Sequence, residues 1–397
     1  MLSRFFQLPA LALLAGCALA QPQTRAQPQQ VIVPAHRNEN VTSVVQYTSD
    51  ADGFDAPKVH PVNATTYDWW YFDAVQQPVP GDDGSPIQAH VAFTFYTLGS
   101  DSFEVLTGQF PNGLPSGNMV QITFAWPNGT VDLPVDLPAG DAIITVEGDG
   151  SSGNFTGTGC SWKGTPDMSA YVVNINVPEH QLNGSLYIKS VAPPHYPCGP
   201  AEEGQNLHLA PGAGWANAIP GGPAFADFTI RGEKLSFHGR GYHDKACHLS
   251  HNLVNFGSEP FKNALALSHW GHGTLGEYDI VWYDSLTPNG DEVVSAYVSR
   301  NGEILTASCE PGAIEVRPYG DNSTYPPTSS LEPATGYRIN ATLPEGQLEL
   351  ETQYIYIVLM DGRYYQRFTG NITGSLNGED LPDGTGLWEQ FFFNNLQ

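Results

Sequence analysis

The chain has 397 residues, 16 basic side chains against 41 acidic ones, and a formal net charge of −25. That balance repels phosphate backbones and argues against a nucleic-acid partner. The length is more than one ordinary core serves, which predicts two domains.

Residues 1–20 read as a signal peptide. Arg4 supplies the positive end, Leu8 to Leu19 the apolar core, and Ala18-Leu19-Ala20 a small-x-small cleavage site before Gln21. Leu14-Ala15-Gly16-Cys17 also resembles a bacterial lipoprotein box. No later run reaches the roughly 18 apolar residues of a membrane span, so no anchor is expected. Residues 21–38, rich in Gln and Pro, read as a flexible leader. Asn40, Asn63, Asn128, Asn154, Asn183, Asn322, Asn340 and Asn371 each open an Asn-x-Ser/Thr sequon. Behind a signal peptide they predict a secreted, glycosylated protein of the secretory lumen. After cleavage Cys160, Cys198, Cys247 and Cys309 remain. They are disulfide candidates with three possible pairings, and their wide spacing speaks against redox or zinc motifs.

The body reads as all-β. In 90–96, Val91, Phe93 and Phe95 share one strand face and His90, Thr94 and Tyr96 the other. Trp69 and Tyr71 oppose Trp70 and Phe72 in the same way. Further strands are readable at 119–125, 169–176, 182–190, 225–231, 264–271, 277–284, 291–299, 303–309, 348–358 and 387–393, with no long helical period. Pro and Gly crowd 191–223, which places a domain boundary there. The expected units are an N-terminal β domain over 39–200, a linker or pocket loop over 201–223, and a C-terminal barrel over 224–397. Trp215 is unusual for a plain linker and predicts that part of this segment packs down.

The most informative stretch is Phe237-His238-Gly239-Arg240-Gly241-Tyr242-His243-Asp244-Lys245. Its glycines predict a tight, exposed turn presenting His243 and Asp244 as an acid/base pair. Aromatic strands on either side would wall an apolar pocket, a setting for chemistry on a greasy small molecule.

Several patches together resemble one family. They are Tyr67-Asp68-Trp69-Trp70-Tyr71-Phe72-Asp73-Ala74, Trp215 through Pro220-Gly221-Gly222, Gly239 to Asp244, Tyr278-Asp279-Ile280-Val281-Trp282-Tyr283, and the tail from Arg367-Phe368 to Trp388-Glu389-Gln390. In order and spacing they are similar to the carotenoid-hydratase (hydroxyneurosporene synthase) superfamily, which includes fungal lipocalin-like Diels-Alderases. The resemblance implies two β-sandwich or lipocalin-like barrel domains with a pocket at or near their interface, and no metal or organic cofactor. It implies a secreted pericyclase that couples a tropolone quinone methide to a sesquiterpene such as humulene, by positioning and hydrogen-bond polarisation. Lys245-Ala246-Cys247-His248 departs from the family's continuation of the His-Asp motif, which sets Lys245 apart as a donor specific to this branch.

The candidate catalytic residues are therefore His243, Asp244, Lys245 and Arg240. Trp69, Trp70, Tyr96, Trp215, Tyr242, Trp270, His272, Trp282 and Arg367 are candidate substrate contacts, and Lys262 is a further possible donor. Each has a plainer reading. The tryptophans are ordinary core residues, Asp244 stabilises a turn, Lys245 makes a surface ion pair, and Arg240 and Arg367 pair with carboxylates such as Asp227 or Glu389. His248 and His251, or His269 and His272, could bind metal only from loops, because residues three apart on a strand face opposite ways. Two other functions use the same features: a secreted carbohydrate-active enzyme and a non-catalytic lipocalin-like carrier of apolar molecules.

Overall fold

The computed structural model describes residues 27–36, 40–102, 115–248, 261–327, 333–361 and 365–393. Its framework is two large antiparallel sheets. The first runs in the order Gln29–Val33, Ala142–Glu147, Gly150–Phe155, Cys160–Gly164, Ala170–Val177, Leu182–Lys189, Ala213–Ile230, Glu233–His248, Tyr67–Gln76, His90–Leu98, Asn118–Ala125 and Val131–Pro138. It curls until its ends meet, where Asn118 Nδ2 donates to the carbonyl of Val33 at 2.8 Å. The enclosed core includes Trp70, Phe72, Phe93, Phe95, Trp162, Val173 and Phe228. The second sheet runs Glu303–Ser308, Glu292–Arg300, Tyr278–Leu286, Leu267–Leu275, Gly384–Phe392, Tyr365–Leu376, Gly346–Asp361, Gly336–Leu343 and Ile314–Tyr319. It closes round Trp282, Tyr337, Phe368 and Trp388.

The sheets also pack against each other. Between the two cores lies a third layer built from Tyr71, Val75, Ala92, Trp215, Tyr242, Trp270, Val281, Tyr297 and Leu387. Strands that border it are therefore buried on both faces. This explains the unbroken Trp69-Trp70-Tyr71-Phe72 run: only Trp69 and Gln76 of Tyr67–Gln76 retain partial exposure. Trp70 and Phe72 enter the first core, while Tyr71 enters the layer between the sheets.

The all-β expectation and the strand pattern hold, but the domain boundary moves. Residues 201–223 are no linker. They contain His208–Ala210 and the first half of Ala213–Ile230, an 18-residue strand of the first sheet. Pro220-Gly221-Gly222-Pro223 is absorbed there by register shifts against Glu233–His248, between Asn217 and Ile219 and between Ile219 and Gly222. Bulges of this kind admit prolines that cannot donate to the ladder. The unit expected to start at 224 thus loses 224–248 to the first sheet, and the second sheet begins at Leu267. Trp215 does pack down, into the layer between the sheets.

Cys198 and Cys309 form a disulfide across 111 residues. Cys198 sits between two short strands on the first sheet and Cys309 follows Glu303–Ser308 of the second, so the bond ties the sheets together. Cys160 is free and buried, and burial pushes its thiol up to about 12. The side chain of Cys247 lies outside the described set. None of the eight sequon asparagines is buried; Asn63 and Asn371 are half-buried and the others exposed. Residues 1–26, which carry the expected signal peptide and most of the leader, lie outside the described residues. Among the described residues no helix is long and apolar enough to cross a membrane.

Candidate active site between the sheets

The predicted Tyr242-His243-Asp244 turn is instead the middle of the 16-residue strand Glu233–His248, and its residues are buried. Gly239 and Gly241 serve close approach rather than turning. A Cβ on Gly239 would lie 2.2 Å from the carbonyl oxygen of Val75, and one on Gly241 2.8 Å from Ile188 Cγ2. Because the segment is a strand, His243 and Asp244 point to opposite faces. They cannot work as a pair.

His243 faces the first core. Its ring stacks on Phe72 with centroids 3.9 Å apart, Nδ1 lies 2.8 Å from the carbonyl oxygen of Tyr71, and Nε2 lies 3.3 Å from Asp55 Oδ2. Tyr171 and Ser151 also donate to that carboxylate oxygen. Lys245, on the same face, is ion-paired to Asp68 and sits 3.7 Å above the Trp70 ring. The pair is buried, not at the surface. Trp70 donates its indole N–H to the carbonyl of Asp55 at 3.0 Å. Trp282 lies in the second core, where Gly271 makes room for its ring: a Cβ there would be 2.3 Å from Trp282 Cζ2. His243, Lys245, Trp70 and Trp282 are thus removed from the layer between the sheets.

The other candidates converge on that layer. Asp244 is 4% exposed. Its Oδ2 accepts from Trp215 Nε1 at 3.0 Å and from the Tyr242 hydroxyl at 2.9 Å, while Oδ1 is buried without a partner. Burial raises this carboxyl to about 6, outweighing the two donors and the nearby His243. Tyr242 stacks on His272 at 4.1 Å. His272 Nε2 lies 2.8 Å from Asp73 Oδ2, and Asp73 Oδ1 is again unpartnered. Trp270 meets Tyr71 edge-on at 5.7 Å and Tyr242 at 5.5 Å, with its indole nitrogen unpartnered. Arg367 donates through Nε to Glu389 Oε1 at 2.7 Å and to the Tyr365 hydroxyl at 2.8 Å. Burial pushes the Glu389 carboxyl up, against the pull of Arg367. Trp69 and Tyr96 close one side of the layer, their rings 5.8 Å apart.

Arg240 lies at the rim, paired with Asp279 of the second sheet rather than with Asp227, which instead pairs with Lys234. Beside it opens a groove of about 690 Å³ lined also by Lys189, Tyr278 and Asn301. His269 and His272 face opposite sides of Leu267–Leu275, His269 lying against Tyr337 of the second core. Among the described residues no group of three or more His, Cys, Asp or Glu could hold a metal ion. His251, and the side chains of His248 and Lys262, lie outside the described set.

Sequence reasoning passed over Tyr71, Asp73 and His90. All three point into the layer and carry buried polar atoms without partners. Alternation was the available signal, since Trp69, Tyr71 and Asp73 share a face, as do His90 and Tyr96. Buried polar groups are nearly always satisfied by protein or solvent. Their concentration between aromatic walls marks this layer as the candidate active site.

The sequence matches the Diels-Alderase-like family over residues 28–251. The chain belongs to that family. It is 32% identical to the quinolone epoxide rearrangement protein asqO of Emericella nidulans, across 90% of this chain and 92% of that one. It is 27% identical to the Diels-Alderase phmD of Phaeosphaeria nodorum, across 87% of this chain and 93% of that one. The fold matches the crystal structure of CghA with Sch210972 at a TM-score of 0.69 and 18% identity, covering 92% of this chain and 99% of that one. The protein is an enzyme, of the cyclase or pericyclase kind that acts on small molecules.

Proposed function

We propose that the chain isomerises a conjugated, largely apolar small molecule held between the two sheets, with Asp244 as the proton donor. The observation that carries this reading is the buried carboxyl itself. Its pKa of about 6 keeps a proton available, Trp215 and Tyr242 fix Oδ2, and Oδ1 faces the layer unpartnered. With an epoxide substrate, as the name of asqO suggests, the Asp244 proton passes to the epoxide oxygen as a C–O bond breaks. A neighbouring group migrates with its bonding pair to the electron-poor carbon. The oxygen, now a carbonyl, returns its proton to the Asp244 carboxylate. Atoms and charge balance without a co-reactant, and the faces of Tyr71, Tyr242 and Trp270 favour the transient positive charge.

A second reading keeps the same layer but couples a tropolone quinone methide to a sesquiterpene such as humulene. The stacked aromatic walls support it, because holding two flat partners face to face lowers such a barrier. Here a donor polarises the quinone-methide oxygen instead of breaking a bond. The deciding experiment incubates the purified chain with a quinolone epoxide and, separately, with a quinone-methide precursor plus humulene, with products resolved by chiral chromatography against buffer. One rearranged epoxide, formed only with an intact Asp244, supports the first reading. One enantiomeric adduct supports the second. Products matching buffer in both arms, with retained polyene binding, would leave the carrier.

We also infer passage through the secretory pathway, with the eight sequons as acceptors, supported by the Cys198–Cys309 bond and the unburied asparagines. A mass shift on endoglycosidase treatment of the secreted chain tests it; an unmodified chain retained inside the cell would end it.

A further inference from the structure

Arg367 is 6% exposed, yet only part of its guanidinium is used. Glu389 and Tyr365 both engage Nε. The hydrogen bonds that Arg367 makes among the described residues run through Nε, on one edge of the guanidinium. Tyr365 itself donates to Glu389 Oε1, so the acceptor and hydroxyl lock the guanidinium plane from one side. The guanidinium carbon sits 5.2 Å from the Tyr71 ring centroid. Around it lie unpartnered buried atoms: the Tyr71 hydroxyl, both ring nitrogens of His90, and Thr369 Oγ1. Burial, with Arg367 and His272 nearby, drives His90 well below the usual imidazole range, so it stands neutral.

The two Nη atoms of a guanidinium form a planar fork that matches two neighbouring oxygens. Resting on the reading that the layer between the sheets holds the substrate, we propose that Arg367 is its specificity determinant. It binds a planar conjugated head group with two neighbouring oxygens, a carboxyl or a carbonyl beside a hydroxyl. Tyr71 and Trp270 flank the ring system, and the neutral His90 supplies a further donor or acceptor. Glu389 and Tyr365 are positioning residues that aim the fork. Asp244 then acts on the far part of the same molecule.

Binding to the full-length, glycosylated chain tests this without turnover. Calorimetric titrations compare 2-naphthoate with 2-naphthaldehyde, and tropolone with tropone, each pair differing in the two-oxygen group. The expected result is at least tenfold tighter binding of the two-oxygen member, about the value of one good bidentate contact. Preference in the naphthoate pair alone assigns a carboxyl head group, and in the tropolone pair alone a carbonyl beside a hydroxyl. Arg367→Gln should bring both members of the preferred pair to equal affinity, and Arg367→Lys should restore part of the gap. If Arg367→Gln fails to fold because Glu389 loses its partner, the Arg367→Gln/Glu389→Gln double variant serves in its place. Equal affinities in the unmodified protein, no binding of any probe, or a gap that survives loss of Arg367 would each overturn the proposal. Preference for the two-oxygen probes with turnover indifferent to Asp244 sinks the catalytic reading alone. Asp244-dependent turnover without that preference sinks this one alone.

Discussion

The two faces of Glu233–His248 carry similar residues and treat them differently. On the face toward the first core, His243 and Lys245 are matched by Asp55 and Asp68, with Tyr171, Ser151 and the Lys58 amide also bonding those carboxylates. On the face toward the second sheet, Asp244 is held through one oxygen only, and Asp73 on the neighbouring strand likewise. The first face gives each basic side chain a carboxylate partner and leaves only Asp55 Oδ1 open, whereas the second leaves Asp244 Oδ1, Asp73 Oδ1 and the Trp270 indole nitrogen all without partners. The difference separates residues that hold the fold from residues free to meet a ligand.

Substitutions can break that comparison. The largest effect on stability is expected from Lys245→Met, which strands Asp68 as a buried charge at a cost of about 3–5 kcal/mol. Chemical denaturation should show the loss, and Asp68→Leu added to it should recover much of it. The folded fraction should keep its turnover; a folded but inactive Lys245→Met protein would mean that this face does take part in chemistry. Asp244→Asn should do the reverse, cutting turnover about 10²- to 10⁴-fold while thermal stability holds or rises. Next comes pH. The Asp244 carboxyl titrates at about 6 against an ordinary 3.8, so the folded state holds the proton more tightly than the unfolded chain. The stabilisation is complete below pH 3.8 and is lost as pH rises through about 6, amounting to roughly 3 kcal/mol. Melting curves from pH 4 to 7 should therefore decline more steeply for the native chain than for Asp244→Asn, and turnover should fall through the same pH near 6. The smallest effect is expected for Arg338→Gln, which removes an exposed pair with Glu351. It should leave the denaturation midpoint and both faces unchanged, because an exposed pair is screened by solvent; a loss of activity there would place function outside the layer.

Much of this could be read from residue order, up to a definite limit. Alternation in His90–Leu98 correctly sends Phe93 and Phe95 one way and Tyr96 the other. It also splits Trp69 from Trp70. The same rule, applied to adjacent His243 and Asp244, would have separated them, but the flanking glycines suggested a turn where they admit neighbouring strands. Gly150–Phe155 escaped notice because Gly-Ser-Ser-Gly-Asn-Phe has little strand propensity and is held by its partners on either side. Pro220 to Pro223 looked like a break because bulges in a long strand have no local signature of their own. Pairings such as His272 with Asp73, 199 residues apart, depend on how two sheets dock and leave no trace in spacing.

The Cys198–Cys309 bond joins the two sheets that share the candidate site. Neither sheet owns the site: Asp73 and Asp244 come from one, His272, Arg367 and Glu389 from the other. Should the sheets part to admit or release a bulky molecule, the disulfide keeps each half at a high effective concentration for its partner, on the order of millimolar for a short tether. Because both sheets belong to one chain, reclosure is unimolecular in any case, and the disulfide adds a second tether that narrows how far the two halves of the site can stray from register.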